Sequence, residues 1–234
     1  LGDYDVGDDL VVELAEVRED GDVSFEEIEL ADYETDRIDA GESVAVTDLE
    51  SAVGSTITLE GAVVQIKQTG GPTIFHVRDE SGVVPCAAFE EAGVRAYPEI
   101  EIGDVVRLTG RVEMRDAAVQ IEVEALDPVA DDEAETVGDR LDAALDEAAE
   151  PNAVDPLVEW EAFEKLRPDL ERVAHRLRKA ALEGRPIRMR HHADGDGLCA
   201  SVPLQLALER FIRDHHHDPD APRHLLKRLP SKAP

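Results

Sequence analysis

The stretch Thr73-Ile74-Phe75-His76-Val77-Arg78-Asp79-Glu80-Ser81-Gly82 decides how the first half of the chain is read. Phe75 and Val77 alternate with His76 and Arg78, so a period of two places the apolar pair on a core face and the polar pair outward. Asp79-Glu80-Ser81-Gly82 then turns the chain, and a second strand follows over Val83–Phe89. Upstream, Ser55–Lys67 reads as a long strand interrupted by Gly61, and Gly70-Gly71-Pro72 turns it into the quoted stretch. Downstream, Glu90–Tyr97 reads as a short helix. Asp104–Met114 reads as a fourth strand and, after a turn at Arg115-Asp116, Val119–Leu126 as a fifth.

Five strands in about 75 residues, with one helix between the third and fourth, is the layout of an OB barrel, here spanning 44–128. The quoted stretch resembles the second-strand signature of nucleic-acid-binding OB domains. Gly103-Asp104-Val105-Val106-Arg107-Leu108-Thr109-Gly110-Arg111-Val112 likewise resembles their fourth strand. Such folds hold single strands with a positive groove and stacking aromatics. Lys67, His76, Arg78, Arg107 and Arg111 are the candidate contacts, and Phe89 and Tyr97 are the aromatics that core packing could spare. A barrel that only positions a neighbouring domain is the other reading.

Composition limits what surrounds the barrel. Residues 1–150 carry 9 Lys+Arg against 41 Asp+Glu, whereas 151–234 carry 15 against 13, within a formal net charge of −30. Lysines are few: Lys67, Lys165, Lys179, Lys227 and Lys232. Self-repulsion on this scale is relieved at molar salt, where the Debye length falls to about 3 Å. The balance therefore reads as a salt-in halophile's protein, and it does not exclude a nucleic-acid partner. Cys86 and Cys199 form no framework, which fits a reducing cytoplasm, and Cys199 is expected to be a small buried residue at a helix start. No apolar run approaches the roughly 18–20 residues that span a bilayer, so no membrane partner is expected.

Around the barrel, residues 6–30 read as two strands joined at Glu19-Asp20-Gly21. Residues 31–43 read as a linker. Residues 129–152 read as an acidic, solvated helical linker with Leu141, Ala144, Leu145 and Ala148 on one face. Asp155-Pro156 is expected to cap a short helix through Leu166. Pro168-Asp169 then starts a second helix ending at Gly184, followed by the strand Ile187–His192 and a helix from Leu198 to about Arg213. Strand, turn and helix open a parallel α/β sheet over 153–234. A single strand cannot have both faces covered by two flanking helices, so this part is expected to be loosely ordered in isolation.

The chemistry-bearing motif is Met189-Arg190-His191-His192-Ala193-Asp194-Gly195-Asp196-Gly197-Leu198-Cys199-Ala200-Ser201. Ligands of open α/β sheets bind outside the carboxyl ends of the strands. The alternation of His192, Asp194 and Asp196 lets an imidazole and two carboxylates share one side of the turn, a donor set suited to Mn²⁺ or Mg²⁺. Gly195 and Gly197 let the backbone turn and a phosphate approach the helix N-terminus. A metal held there could orient a phosphodiester and lower the pKa of a bound water. Arg172, Arg176 and Lys179 at helical spacing, with Arg188 and Arg190 on one face of the strand, form a basic stripe beside it.

His-x-Asp-x-Asp-Gly after a strand resembles the first motif of the DHH phosphoesterases. Together with the upstream OB segment, it resembles the archaeal, particularly haloarchaeal, RecJ-like single-strand nucleases. The 6–30 hairpin resembles the last strands of a ribosomal-type RNA-binding OB domain. The resemblance implies an OB barrel followed by the N-terminal part of a truncated parallel α/β DHH domain. It makes Asp194 and Asp196 metal ligands, with His192 a ligand or close partner, and all three the catalytic candidates. It implies phosphodiester hydrolysis in single-stranded DNA or RNA, with replication or repair proteins as possible partners. The family's later Asp, Asp-His-His and final Asp have no place in this sequence, because Asp214-His215-His216 reads as a helix end and polar loop. The present chain alone is therefore expected to lack nuclease activity. Two other readings remain: a non-catalytic nucleic-acid-binding or replication-scaffold protein, and a phosphodiesterase for oligonucleotides or cyclic dinucleotides.

Overall fold

The computed structural model describes residues 12–17, 23–27, 42–90, 94–115 and 117–231. The chain divides into two compact units, Leu1–Asp39 and Ala40–Pro234. In the first, β1 (Val12–Val17) and β2 (Val23–Glu27) pair antiparallel. Nearly all of the expected linker, 31–41, lies outside the described residues.

The second unit opens with β3 (Glu42–Ser43) and a 3₁₀ helix over Val46–Ala52. The barrel strands follow: β4 (Thr56–Gln68), β5 (Thr73–Arg78), β6 (Val83–Ala88), β7 (Val105–Arg115) and β8 (Ala118–Pro128). The sheet order is β3-β4-β5-β6-β8-β7, and a β4–β7 pairing closes the five-stranded OB barrel. Closure depends on the length of β4, whose first half pairs β7 and whose second half pairs β5. Between the halves sits Gly61, where a Cβ would lie 2.6 Å from the Arg78 carbonyl oxygen and from a Val77 methyl. A bare backbone at this corner lets neighbouring strands approach. Alternation along β4 and β7 directs Ile57, Leu59, Val106 and Leu108 inward to join Phe75 and Ile121 in the core.

The helix expected over Glu90–Tyr97 is corrected. Residues 91–93 lie outside the described residues, and Glu90 and Val94–Tyr97 are loop and bend. Tyr97 has φ +48° and packs edge-on to Phe75, so it cannot continue a helical turn, and Pro98 follows it.

Helix α1 (Asp131–Ala149) occupies the acidic segment, but its apolar face is not solvated. Val137 and Leu141 pack with Val129 against Ala62 and Val105 of the barrel. Leu145 and Ala149 pack on Leu182 and Phe211 beyond it. At about 1.5–3 kcal/mol per buried aliphatic side chain, this contact is a structural joint.

Beyond α1, the two helices expected around Pro168 are one, α2 (Glu161–Leu182), while Asp155-Pro156 lies in loop. Pro168 removes one N–H from the ladder. The first turns are held by Lys165–Glu161 and Arg167–Glu164 ion pairs, and by Arg167 donating to the Val154 carbonyl at 2.8 Å. Next come β9 (Ile187–His192), α3 (Gly195–His215), α4 (Ala221–Leu225) and β10 (Leu226–Ser231). The expectation of a lone strand is corrected, since β10 pairs β9 in parallel register. One face of this small sheet joins Ala181, Leu208, Ile212 and Leu225 in a second core. Cys199 is exposed on α3, contrary to expectation, and Cys86 is buried in the barrel. Among the described residues no helix is long and apolar enough to cross a membrane.

Candidate nucleic-acid interface and the turn after β9

Strands β5 and β6, together with the loops after β4 and β7, frame a cleft of about 370 Å³. Lys67 and Thr69 stand on one rim, Arg115 and Gln120 on the other, and Ile74, His76 and Pro85 form the floor. OB barrels take oligonucleotides on the face of their second and third strands and on these two loops. No Phe, Tyr or Trp lines the cleft and His76 is buried, so it offers cations and polar groups rather than a stacking platform.

The outward face of β5 is not free. His76 is 3% exposed, and its Nε2–H donates to Asp218 Oδ2 at 3.1 Å. Lys67 Nζ donates to the same oxygen at 2.9 Å, and the Asp220 N–H donates to Asp218 Oδ1 at 2.9 Å. Burial works to raise the Asp218 carboxyl, but the hydrogen bonds from His76, Lys67 and Asp220 outweigh it and hold the group well below the ordinary carboxylate range. Burial lowers the His76 imidazole, opposed by its bond to Asp218, so it is neutral near pH 7.

Arg78, 6% exposed, donates through Nη1 to the Leu141 carbonyl at 3.0 Å and lies 3.7 Å from Asp142. It anchors α1 to the barrel. The expectation that His76 and Arg78 face outward to nucleic acid is therefore corrected. Period two placed them on the outer face, and α1 and the loop after α3 cover it.

Arg107 is committed elsewhere, donating to Glu60 at 2.6 and 3.0 Å and to Glu133 at 3.3 Å. Arg111 is exposed on β7, away from the residues lining the cleft. On α2, Arg172 pairs with Asp169 at 2.6 Å, Lys179 pairs with Asp146 of α1, and Arg176 is exposed. Arg188, Arg190 and His192 do share an exposed face of β9. There they stand in register with Lys227, Leu229 and Ser231 of β10. Asp218, Arg115, Gln120 and Thr69 were not singled out in the sequence. Thr69 and Asp218 sit in loops without periodicity, and Arg115 and Gln120 lie where β7 ends and β8 begins, around the turn at Arg115-Asp116.

At the carboxyl end of β9, the chain turns through Ala193, whose N–H donates to the Ser231 carbonyl at 2.9 Å. Asp194 caps α3, its Oδ1 accepting from the Gly197 N–H at 2.8 Å. An Asp in this position satisfies one of the orphan N–H groups of the first turn. Asp194 Oδ2 lies 3.9 Å from His192 Nδ1, and both side chains are exposed. Asp196 is exposed in the first turn of α3. The turn thus brings His192 and Asp194 together, whereas among the described residues no three His, Cys, Asp or Glu side chains converge on one point.

The adjacent histidines at the end of α3 diverge. His215 Nδ1–H donates to Phe211 O at 2.8 Å, His216 Nε2–H to Ala181 O at 3.0 Å, and His217 Nε2–H to Val46 O at 2.9 Å. Each is spent on a backbone carbonyl.

A barrel of this order, with its cleft on the strand 2–3 face, defines an OB-type nucleic-acid-binding architecture. Residues 57–129 match the family described as "OB-fold nucleic acid binding domain", of the tRNA anti-codon type. The whole chain is 39% identical, over 241 aligned residues, to an uncharacterized protein of Methanocaldococcus jannaschii, and it spans 32% of that protein's length. Among solved structures, it is similar to a DHH-domain member of the s1p family of ribosomal proteins. The identity is 41% and the TM-score 0.43, covering 45% of this chain and 24% of that one. It is also similar to a replication protein A heterotrimer bound to ssDNA, at 20% identity and a TM-score of 0.31, covering 39% and 71%.

Proposed function

We propose that the barrel binds single-stranded nucleic acid in the cleft between the loop after β4 and the β7–β8 turn. The observation that carries this reading is the coincidence of the matched OB segment with a cleft rimmed by Lys67 and Arg115. With no Phe, Tyr or Trp in the lining, contact is mainly to phosphates, so affinity falls steeply with salt. In fluorescence anisotropy with a labelled 20-mer, Arg115→Gln should weaken binding about tenfold, or ~1.4 kcal/mol. It should also flatten the dependence of log K on log salt by about 0.7, one single-strand phosphate contact. Arg107→Gln, whose cation is held by Glu60 and Glu133, should leave both nearly unchanged. Equal effects of the two variants would refute the assignment of the cleft.

We further propose that the longer protein hydrolyses phosphodiester bonds at the turn after β9. His192, Asp194 and Asp196 would hold Mn²⁺ or Mg²⁺ together with ligands from outside this sequence. Two observations support this reading: the proximity of His192 to Asp194, and their place beyond the carboxyl end of a parallel strand. The bound metal would polarise the phosphodiester and activate water. In the longer protein, Asp194→Ala should lower Mn²⁺-dependent cleavage of a labelled 20-mer at least 100-fold. It should also weaken Mn²⁺ binding in calorimetry, while leaving 20-mer binding by the barrel intact. The competing reading, a binding module without catalysis, is favoured by the lack of three converging ligands among the described residues. Unchanged Mn²⁺ affinity in the variant would select it.

A further inference from the structure

The segment that closes one side of the nucleic-acid cleft belongs to the helix–strand connection of the C-terminal part, not to the barrel. After α3, His216 makes an isolated parallel bridge to Val83, and the His217 N–H donates to the Val83 carbonyl at 2.9 Å. The His217 side chain donates to Val46 O on the barrel's 3₁₀ helix. These backbone-directed bonds seat the segment on the start of β6 and aim the next residue, Asp218, into the cleft. There its carboxylate is 15% exposed and lies on Lys67 and His76. Lys67 is the only lysine in the first 164 residues.

We propose that Asp218 is an intrachain competitor for the phosphate of the bound strand: its carboxylate occupies the place on Lys67 that a phosphate oxygen would take. The proposal rests on the cleft being the nucleic-acid site. A phosphate and a carboxylate are both anionic oxygen acceptors for the same ammonium, so one must leave or be repelled when the other binds. Nucleic-acid binding by the barrel is thereby tied to displacement of the 216–219 segment. That segment leads directly into α4 and β10 beside the turn after β9.

Asp218→Asn removes the charge while keeping the shape and the acceptor for His76 and Lys67. In anisotropy titrations with a 20-mer, this variant should bind about tenfold more tightly than the unmodified chain. Its log K against log salt should steepen by about 0.7 as Lys67 engages a phosphate. In a Lys67→Gln background the same substitution should give no gain. Asp220→Asn removes an equal charge from the same loop without touching Lys67, and should change binding less than twofold. Thermal midpoints of the variants establish that each is folded. Binding that is unchanged or weaker in Asp218→Asn, a gain that persists without Lys67, or an equal gain from Asp220→Asn would each overturn the competition and leave the cleft assignment standing. Failure of every form, including the unmodified chain, to bind the 20-mer would overturn the cleft reading itself, and the competition with it.

Discussion

Gly197→Ala should destabilise the C-terminal part by about 3 kcal/mol, the upper end of what overpacking one methyl group costs. Gly195→Ala, two residues earlier, should cost nothing. Both glycines belong to the same Asp-Gly-Asp-Gly motif, and the sequence assigns both of them to the turn. Their surroundings differ. A Cβ on Gly197 would stand 2.2 Å from the His192 carbonyl oxygen and 3.0 Å from Asp194 Oδ1, while one on Gly195 meets nothing within 4 Å. The first contact is with backbone at the end of β9, which cannot rotate away, so the strand and α3 must separate. Separation also breaks the Asp194 cap, itself worth about 1 kcal/mol, and pulls on Leu208 and Ile212 in the core below. At Gly195 the φ is not positive, so alanine is tolerated there and could even stabilise by about 0.4–1 kcal/mol through the unfolded state. Urea titrations of the two variants at neutral pH give the comparison directly. If the longer protein is a nuclease, its cleavage should follow the same order, because His192 and Asp194 are placed by this turn. Equal midpoints for the two variants would mean that the close approach at Gly197 is absent in solution.

What the sequence disclosed and what it concealed divide along a physical line. The barrel strands were legible because each is half-buried and written in period two, with glycine turns between them. So were β9 and α3, since an apolar-cationic alternation followed by Asp-Gly-Asp-Gly needs no distant partner to be recognised. The parts that went unseen are made by contacts across the chain. β10 carries Pro230, and no element is expected over its residues from the sequence. It is a strand only because it lies at the edge of β9, where a residue without an N–H can be accommodated. Pro168 reads as a helix start, but ion pairs in the two preceding turns extend the helix through it. His76 and Arg78 lie on the outer face of β5 as their alternation requires. Nothing within ten residues of them indicates that Leu141 and Asp218 would cover that face. The three donors proposed to hold a metal are the sharpest case. Spacing placed three donors on one side of a turn, and the structure uses Asp194 first as a helix cap. A short motif fixes the backbone more strongly than it fixes ligation.

Acid should undo the docking of the 215–218 segment before it undoes the barrel. His216 is 8% exposed, and its Nε2–H is given to the Ala181 carbonyl. Burial lowers its pKa to about 4, against that hydrogen bond, with His76 and His215 adding to the depression and Asp218 opposing it. The sign follows from where the proton binds. In the unfolded chain the imidazole takes up its proton near pH 6.5, and in the folded chain only near 4. Between these values the unfolded state binds more protons, so stability is complete above about 6.5 and declines as the pH falls toward 4. The full loss is bounded by the difference between the two values, about 3 kcal/mol at 1.36 kcal/mol per unit. His76, lowered chiefly by its own burial, adds in the same direction. Asp218 acts in the same direction but lower on the pH scale: its depressed carboxyl keeps its contribution until the pH falls below the ordinary value of 3.8. The histidines therefore fail first, and the carboxylate last. Urea unfolding at a series of pH values from 7.5 to 4.2 should show a falling midpoint, and His216→Met should flatten the decline by about one proton. A decline of unchanged slope in that variant would place the titrating group elsewhere. If Asp218 competes for the cleft, release of its segment in acid should also tighten 20-mer binding between pH 6.5 and 4.5 in the unmodified chain, and not in His216→Met.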